Sequence, residues 1–205
     1  MNIALSGRRC SGKSTLAGKL NALGYRTISI AAPIYRAAEL SRTFIQTDDV
    51  FPNDLRGYLS TLTSEVNVPH VYAGWLELMV KHHDLLLSGR KPSVFLQDWG
   101  MMFRGYDRDV LIRAAVAACR TGDWVCDDVR MMNEVSEFRD AGWKIVRLSV
   151  PDEVRLQRVA QLYPDAAGEL SHITETELDG FADWDYVVES DGEVDVAGII
   201  AALGG

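Results

Sequence analysis

Gly7-Arg8-Arg9-Cys10-Ser11-Gly12-Lys13-Ser14-Thr15 matches G-x-x-x-x-G-K-[ST], the pattern of a loop that wraps a phosphate chain. Glycines let the backbone bend closely enough for consecutive N–H groups to point inward at negative charge. The flanks have the required form. Ile3-Ala4-Leu5 reads as a short buried strand before the loop, and Ser14 to Leu20 as a helix after it. A helix starting near Gly12 adds its positive end to the same site. Lys13 is then placed to reach the β- and γ-phosphates of a nucleoside triphosphate, and the Ser14 hydroxyl to hold the magnesium that bridges them. Thr15 caps the helix or lines the same pocket.

Outward from this loop, strands and helices alternate. Tyr25 to Ile30 reads as a second strand, and Ala31-Ala32-Pro33 turns the chain. Helical stretches are predicted over Tyr35 to Ile45, Leu55 to Val66, Ala73 to Leu87 and Asp107 to Cys119. Trp124-Val125-Cys126 forms a short strand ending in Asp127-Asp128. A helix then runs from Asn133 to Gly142, a strand from Trp143 to Val150, a helix from Pro151 to Leu162 and a last strand from Asp185 to Glu189. A small terminal helix ends at Gly204. This order predicts a three-layer α/β fold with a mainly parallel five-stranded sheet, in which ligands collect outside the carboxyl ends of the strands. It forms a single domain over 1–205, with a core of about 1–33 and 94–205 and a helical substrate-binding insertion of about 34–93.

Composition narrows the function. The chain is 47% hydrophobic and 24% charged, as expected for a globular protein. Apolar runs stay short of a membrane span, and the chain enters its first strand without a signal-peptide pattern, so the expected address is the cytoplasm. Cys10, Cys119 and Cys126 lack the spacing of a zinc site or a disulfide framework. A net charge of −8 argues against a nucleic acid polymer as partner and leaves small anionic nucleotides.

The strand-end rule places Asp127, Asp128 and Arg130 on the edge that carries the phosphate loop. There Asp128 is expected to hold magnesium or the acceptor, and Arg130 to neutralise a transferred phosphoryl group. Asp127 is read equally as a helix cap or a site residue. Glu134 either orients Arg130, accepts from a sugar hydroxyl, or serves as a first-turn acid of its helix. Arg155 and Arg158, three apart on the helix after Pro151, suit a lid that closes over phosphates and equally a solvated helix face.

Five blocks occur in order: Gly7 to Thr15, Ala32-Pro33-Ile34, Leu96-Gln97-Asp98-Trp99-Gly100, Asp128-Val129-Arg130 with Asn133-Glu134, and His172-Ile173-Thr174-Glu175. In this set the chain resembles the deoxynucleoside monophosphate kinases of tailed phages, members of the P-loop kinase superfamily, over nearly its whole length. The resemblance implies an enzyme that moves the γ-phosphoryl of ATP to a deoxynucleoside 5′-monophosphate. Carried over by position, Arg9, Gly12, Lys13, Ser14 and Thr15 would hold ATP, with Gly7 and Ser11 completing the loop. Ile34, Tyr35, Gln97, Gly100 and Met101 would line the monophosphate pocket, with Asp128, Arg130 and Glu134. The chain departs from the family at Pro92-Ser93-Val94-Phe95, where members tend to carry an arginine; Arg90, Arg104 and Arg56 are the candidate replacements.

The implied protein is a monomer or homodimer using ATP and Mg2+. Its rivals are another small-molecule kinase on the same scaffold, of the dephospho-coenzyme A or shikimate type, and a non-catalytic nucleotide-binding switch.

Overall fold

The computed structural model describes residues 1–47, 68–89, 92–163, 173–189 and 192–204. The helix expected over Leu55 to Val66, and Arg56, Arg90 and His172, lie outside the described residues. Contacts divide the chain into two compact units, Met1–Ser29 with Val116–Gly205, and Ile30–Ala115.

The first unit holds the sheet. Strands β1 (Ile3–Ser6), β2 (Arg26–Ile28), β3 (Trp124–Val129), β4 (Lys144–Ser149) and β5 (Tyr186–Glu189) are all parallel, in the order β2-β3-β1-β4-β5. This is the five-stranded α/β fold that the alternation predicts. Strand β1 lies at the centre and is wholly buried, as parallel strands covered on both faces must be. Period-two alternation sorts its residues. Ile3 and Leu5 join Val125, Val146, Leu148 and Val188 in a core cluster. Helix α1 (Lys13–Asn21) adds Leu16 and Leu20 to that cluster, and the terminal helix (Val196–Ala202) adds Ile199. Their strand neighbours Ala4, Cys126 and Ile145 are equally buried on the other face.

The second unit is helical. It contains α2 (Ala32–Thr47), α3 (Val68–Lys81), α4 (His83–Leu87) and α5 (Ser93–Tyr106); α6 (Val110–Ala118) begins in its last residues. In the first unit follow α7 (Met132–Asp140), α8 (Asp152–Leu162), the short α9 (Ile173–Thr176) and α10, the terminal helix already given. Pattern reading places the return to the sheet core near residue 94. Instead α5 packs within the second unit, against α2 and α3. Phe95, Trp99 and Phe103 recur at four-residue spacing on one buried face of α5, and Trp99 meets Phe103 edge-on at 4.9 Å. Trp75 of α3, fully buried, donates from Nε1 to Ser41 Oγ of α2 at 2.7 Å, so its polar edge is satisfied inside the core.

Strand β3 also differs from its sequence reading. It runs on to Val129, so Asp127 and Asp128 belong to the strand and do not cap the next helix. Alternation therefore directs these neighbouring carboxylates to opposite sides.

Candidate active site

Between β1 and α1 the loop turns through left-handed backbone at Cys10 (φ 64°) and Gly12 (φ 96°), and Gly12 is the residue on which α1 starts. Gly7 lies so close to β4 that a Cβ there would stand 2.8 Å from the Leu148 carbonyl oxygen. No side chain fits. Lys13 is buried, and its Nζ donates to the loop's own Gly7 and Arg8 carbonyls at 2.5 and 3.1 Å. Burial, followed by the nearby Arg130 charge, pulls the Lys13 ammonium down to about 8. Ser11 is buried with its hydroxyl lacking a hydrogen-bond partner among the described residues. Ser14 and Thr15 face outward from the first turn of α1.

The carboxylate that meets Ser14 differs from expectation. Ser14 Oγ donates to Asp127 Oδ2 at 2.8 Å, so the structure brings Asp127, rather than Asp128, to the loop. Asp128 turns the other way. It accepts from Ser29 Oγ at 2.6 Å and from the buried Cys126 thiol at 2.9 Å; burial, with the Asp128 charge beside it, pushes that thiol well up. Ser14 and Asp127 together offer hard oxygen donors of the kind magnesium takes. Glu134, expected in the acceptor pocket, is buried with Oε2 accepting from the backbone N–H groups of Arg130 and Met131 at 2.6 and 3.0 Å. Its carboxylate thus secures the start of α7.

Past β4 the chain brings more cations to the loop. Arg155 is buried, with Nε on Asp152 Oδ1 at 2.9 Å, and Arg158 reaches the Cys10 carbonyl at 3.4 Å. Arg9 lies over the Tyr163 ring, 5.5 Å from its centroid. The two arginines read from α8 therefore stand against the loop in the structure. Arg8, Ser11, Arg147, Leu148, Asp152 and Arg155 line a cleft of about 280 Å³ beside it. Asp179 binds Arg8 through Nε at 3.0 Å and also pairs with Arg147, and the Arg8 bond holds its carboxyl below the usual carboxylate range. Burial lowers Arg147 itself. Glu175, also buried, pairs with Arg130 and accepts from the Arg9 backbone N–H at 2.6 Å.

Arg147, Glu175 and Asp179 were not singled out as site residues by sequence reasoning. One signal existed for Arg147: an arginine between Val146 and Leu148, inside a strand buried among parallel neighbours. Glu175 closes the block His172 to Glu175 already quoted, though with no role attached to it; Asp179 gave no signal, because its partners Arg8 and Arg147 are distant in the chain.

Within the second unit, Ile34, Gly100 and Arg104 come together. A Cβ on Gly100 would stand 3.0 Å from Ile34 Cδ1 and 3.2 Å from the Arg104 guanidinium. Tyr35, Gln97 and Met101 are exposed on the same two helices, α2 and α5.

Over its full length the chain superposes on TT1252 from Thermus thermophilus with a TM-score of 0.51 and 17% identity, covering 98% of that chain. That likeness is one of fold. Matches at a TM-score of 0.44, also over the whole of this chain, are shikimate kinase from Aquifex aeolicus vf5, at 16% identity over 100% of its chain, and the Mycobacterium tuberculosis APS kinase CysC in complex with AMPPNP and APS, at 14% over 97%. No protein-family model and no curated protein sequence matches this one. Among the described residues no helix is long and apolar enough to cross a membrane.

Proposed function

We propose that the protein transfers the γ-phosphoryl group of ATP to a deoxynucleoside 5′-monophosphate, giving the diphosphate and ADP. The observation that carries the transferase reading is the convergence of Lys13, the Ser14–Asp127 pair, Arg130, Arg155 and Arg158 on one glycine-bounded loop. The loop fits a phosphate chain. Its Gly7 cradle excludes a side chain, and among the described residues Lys13 donates to carbonyls, which a phosphate oxygen outcompetes in charge.

Phosphoryl transfer through a loose transition state asks for positioning and charge neutralisation. Lys13 swings from the Gly7 carbonyl to the β- and γ-phosphates. Ser14 and Asp127 are the residues that would hold magnesium, and the ion would supply charge neutralisation at the phosphates. Arg130 steadies the group in flight, and the α8 arginines exclude water from it. The acceptor phosphate is already an anion near neutral pH, so the transfer needs no general base. The acceptor class is supported by the L-Q-x-x-G and D-V-R-x-x-N-E blocks, and by the proximity of Ile34, Gly100 and Arg104, a cation beside a small residue and an apolar one.

The test is ADP release with magnesium and ATP against a panel of deoxynucleoside and ribonucleoside monophosphates, with Lys13→Ala as the blank. Release that depends on one or a few deoxynucleotides is the expected result. Release that no monophosphate stimulates, with ATP still bound, overturns the acceptor assignment.

A further inference from the structure

We infer that Glu175 is a positioning residue: its carboxylate holds the Arg130 guanidinium against the loop between β1 and α1, so one side chain sets where the charge that steadies the transferred group stands relative to that loop. The inference rests on the phosphotransfer reading above. The Glu175 side chain is only 4% exposed, against 31% for Arg130. A buried carboxylate is costly unless both oxygens are satisfied, and here each has its own partner. Oε1 takes Arg130 from the exit of β3, and Oε2 takes the N–H of Arg9 in the loop at 2.6 Å. The bonds reach 45 and 166 residues along the chain, which is how elements far apart in sequence become fixed to each other.

The surrounding segment is anchored in the same manner. Glu177 accepts from the Met132 N–H at 2.9 Å, and Asp179 grips Arg8 and Arg147. Glu175 therefore lies on a stretch tied down on its C-terminal side. A guanidinium carries five N–H donors in a rigid fork, and a charge-assisted bond at NH1 fixes the direction of the others. A transition-state contact depends on that direction, because a misplacement of about 1 Å can cost about a hundredfold in rate.

Electrostatics gives the test a sign. Removing a negative charge beside an anion site tightens anion binding by itself, whereas removing the group that aims Arg130 weakens it. Glu175→Gln, Arg130→Ala and the double variant are compared by turnover, by calorimetric binding of tripolyphosphate, and by thermal midpoint. Glu175→Gln is expected to lower kcat by about tenfold or more while KM for ATP stays within about threefold. The double variant falls no further than Arg130→Ala alone, as expected of residues that act as one unit. Tripolyphosphate binds about threefold more weakly to Glu175→Gln, and no more weakly still to the double variant than to Arg130→Ala. A kcat within about twofold of the parent, losses that multiply, or tighter tripolyphosphate binding overturns the inference. Should Glu175→Gln melt below the assay temperature, Glu175→Asp carries the same cycle. If the parent protein transfers to no acceptor, the phosphotransfer reading fails by itself, and the tripolyphosphate cycle alone decides the role of Glu175.

Discussion

Burial of the Lys13 ammonium within the loop has a consequence that can be measured. The ammonium is drawn down to about 8 by burial first and by the Arg130 charge second. Under the proposed function a bound triphosphate places negative charge beside the same Nζ and raises that value. The sign follows from the order of the two. Well below pH 8 Lys13 is protonated with or without nucleotide, so binding moves no proton; near pH 8 about half the free protein is neutral there, and binding takes up about half a proton. Calorimetry of ATP binding in buffers of different ionisation enthalpy measures this uptake directly, and Lys13→Ala is expected to abolish it. The neighbouring acids differ just as sharply. Asp127, on Ser14, is expected to serve magnesium, so Asp127→Asn raises the magnesium concentration for half-maximal activity by about tenfold or more. Asp128 is engaged with Ser29 and Cys126, and Asp128→Asn leaves that requirement within about twofold. A magnesium titration of the two variants side by side decides between them.

The elements fall into those the sequence declared and those it concealed. Strands β1 and β3 were legible as short apolar runs between turn residues, and β4 by its alternation from Trp143 to Val150. The start of α1 was legible at Gly12, where left-handed backbone coincides with the motif. Helix α5 was concealed because the family-like block Leu96 to Gly100 drew its reading toward the site, while Phe95, Trp99 and Phe103 were serving a core of their own. This core is aromatic, and its loss is measurable. Trp99, 1% exposed, stacks beside Phe95 and meets Phe103 edge-on. Trp99→Ala leaves a cavity that neighbouring rings cannot fill, and is expected to cost about 3–5 kcal/mol in chemical denaturation followed by far-ultraviolet circular dichroism. A loss below about 1 kcal/mol would mean that this ridge does not hold the second unit together.

For the whole molecule, the loop between β1 and α1 was legible because its pattern is local: glycines, lysine and serine follow one another in the chain. The arginine network was not, because Arg8, Arg130 and Arg147 acquire their carboxylates from a segment beyond residue 173, and no local pattern pairs them. The two compact units give this division a test. Under the proposed function ATP is recognised by the first unit and the monophosphate by Ile34, Tyr35, Gly100 and Arg104 of the second. Hydrogen exchange read by mass spectrometry separates the two events, because a bound ligand protects the amides whose opening it opposes. ATP with magnesium is expected to slow exchange at the end of β1, across the loop into α1, and at the exit of β3. A deoxynucleoside monophosphate alone is expected to slow exchange at the start of α2 and along α5, while changing the loop little. Both patterns together support a transferase that receives donor and acceptor separately. Protection by ATP with no response of α2 or α5 to any monophosphate removes the acceptor assignment and leaves a nucleotide-binding protein whose arginines serve the triphosphate alone.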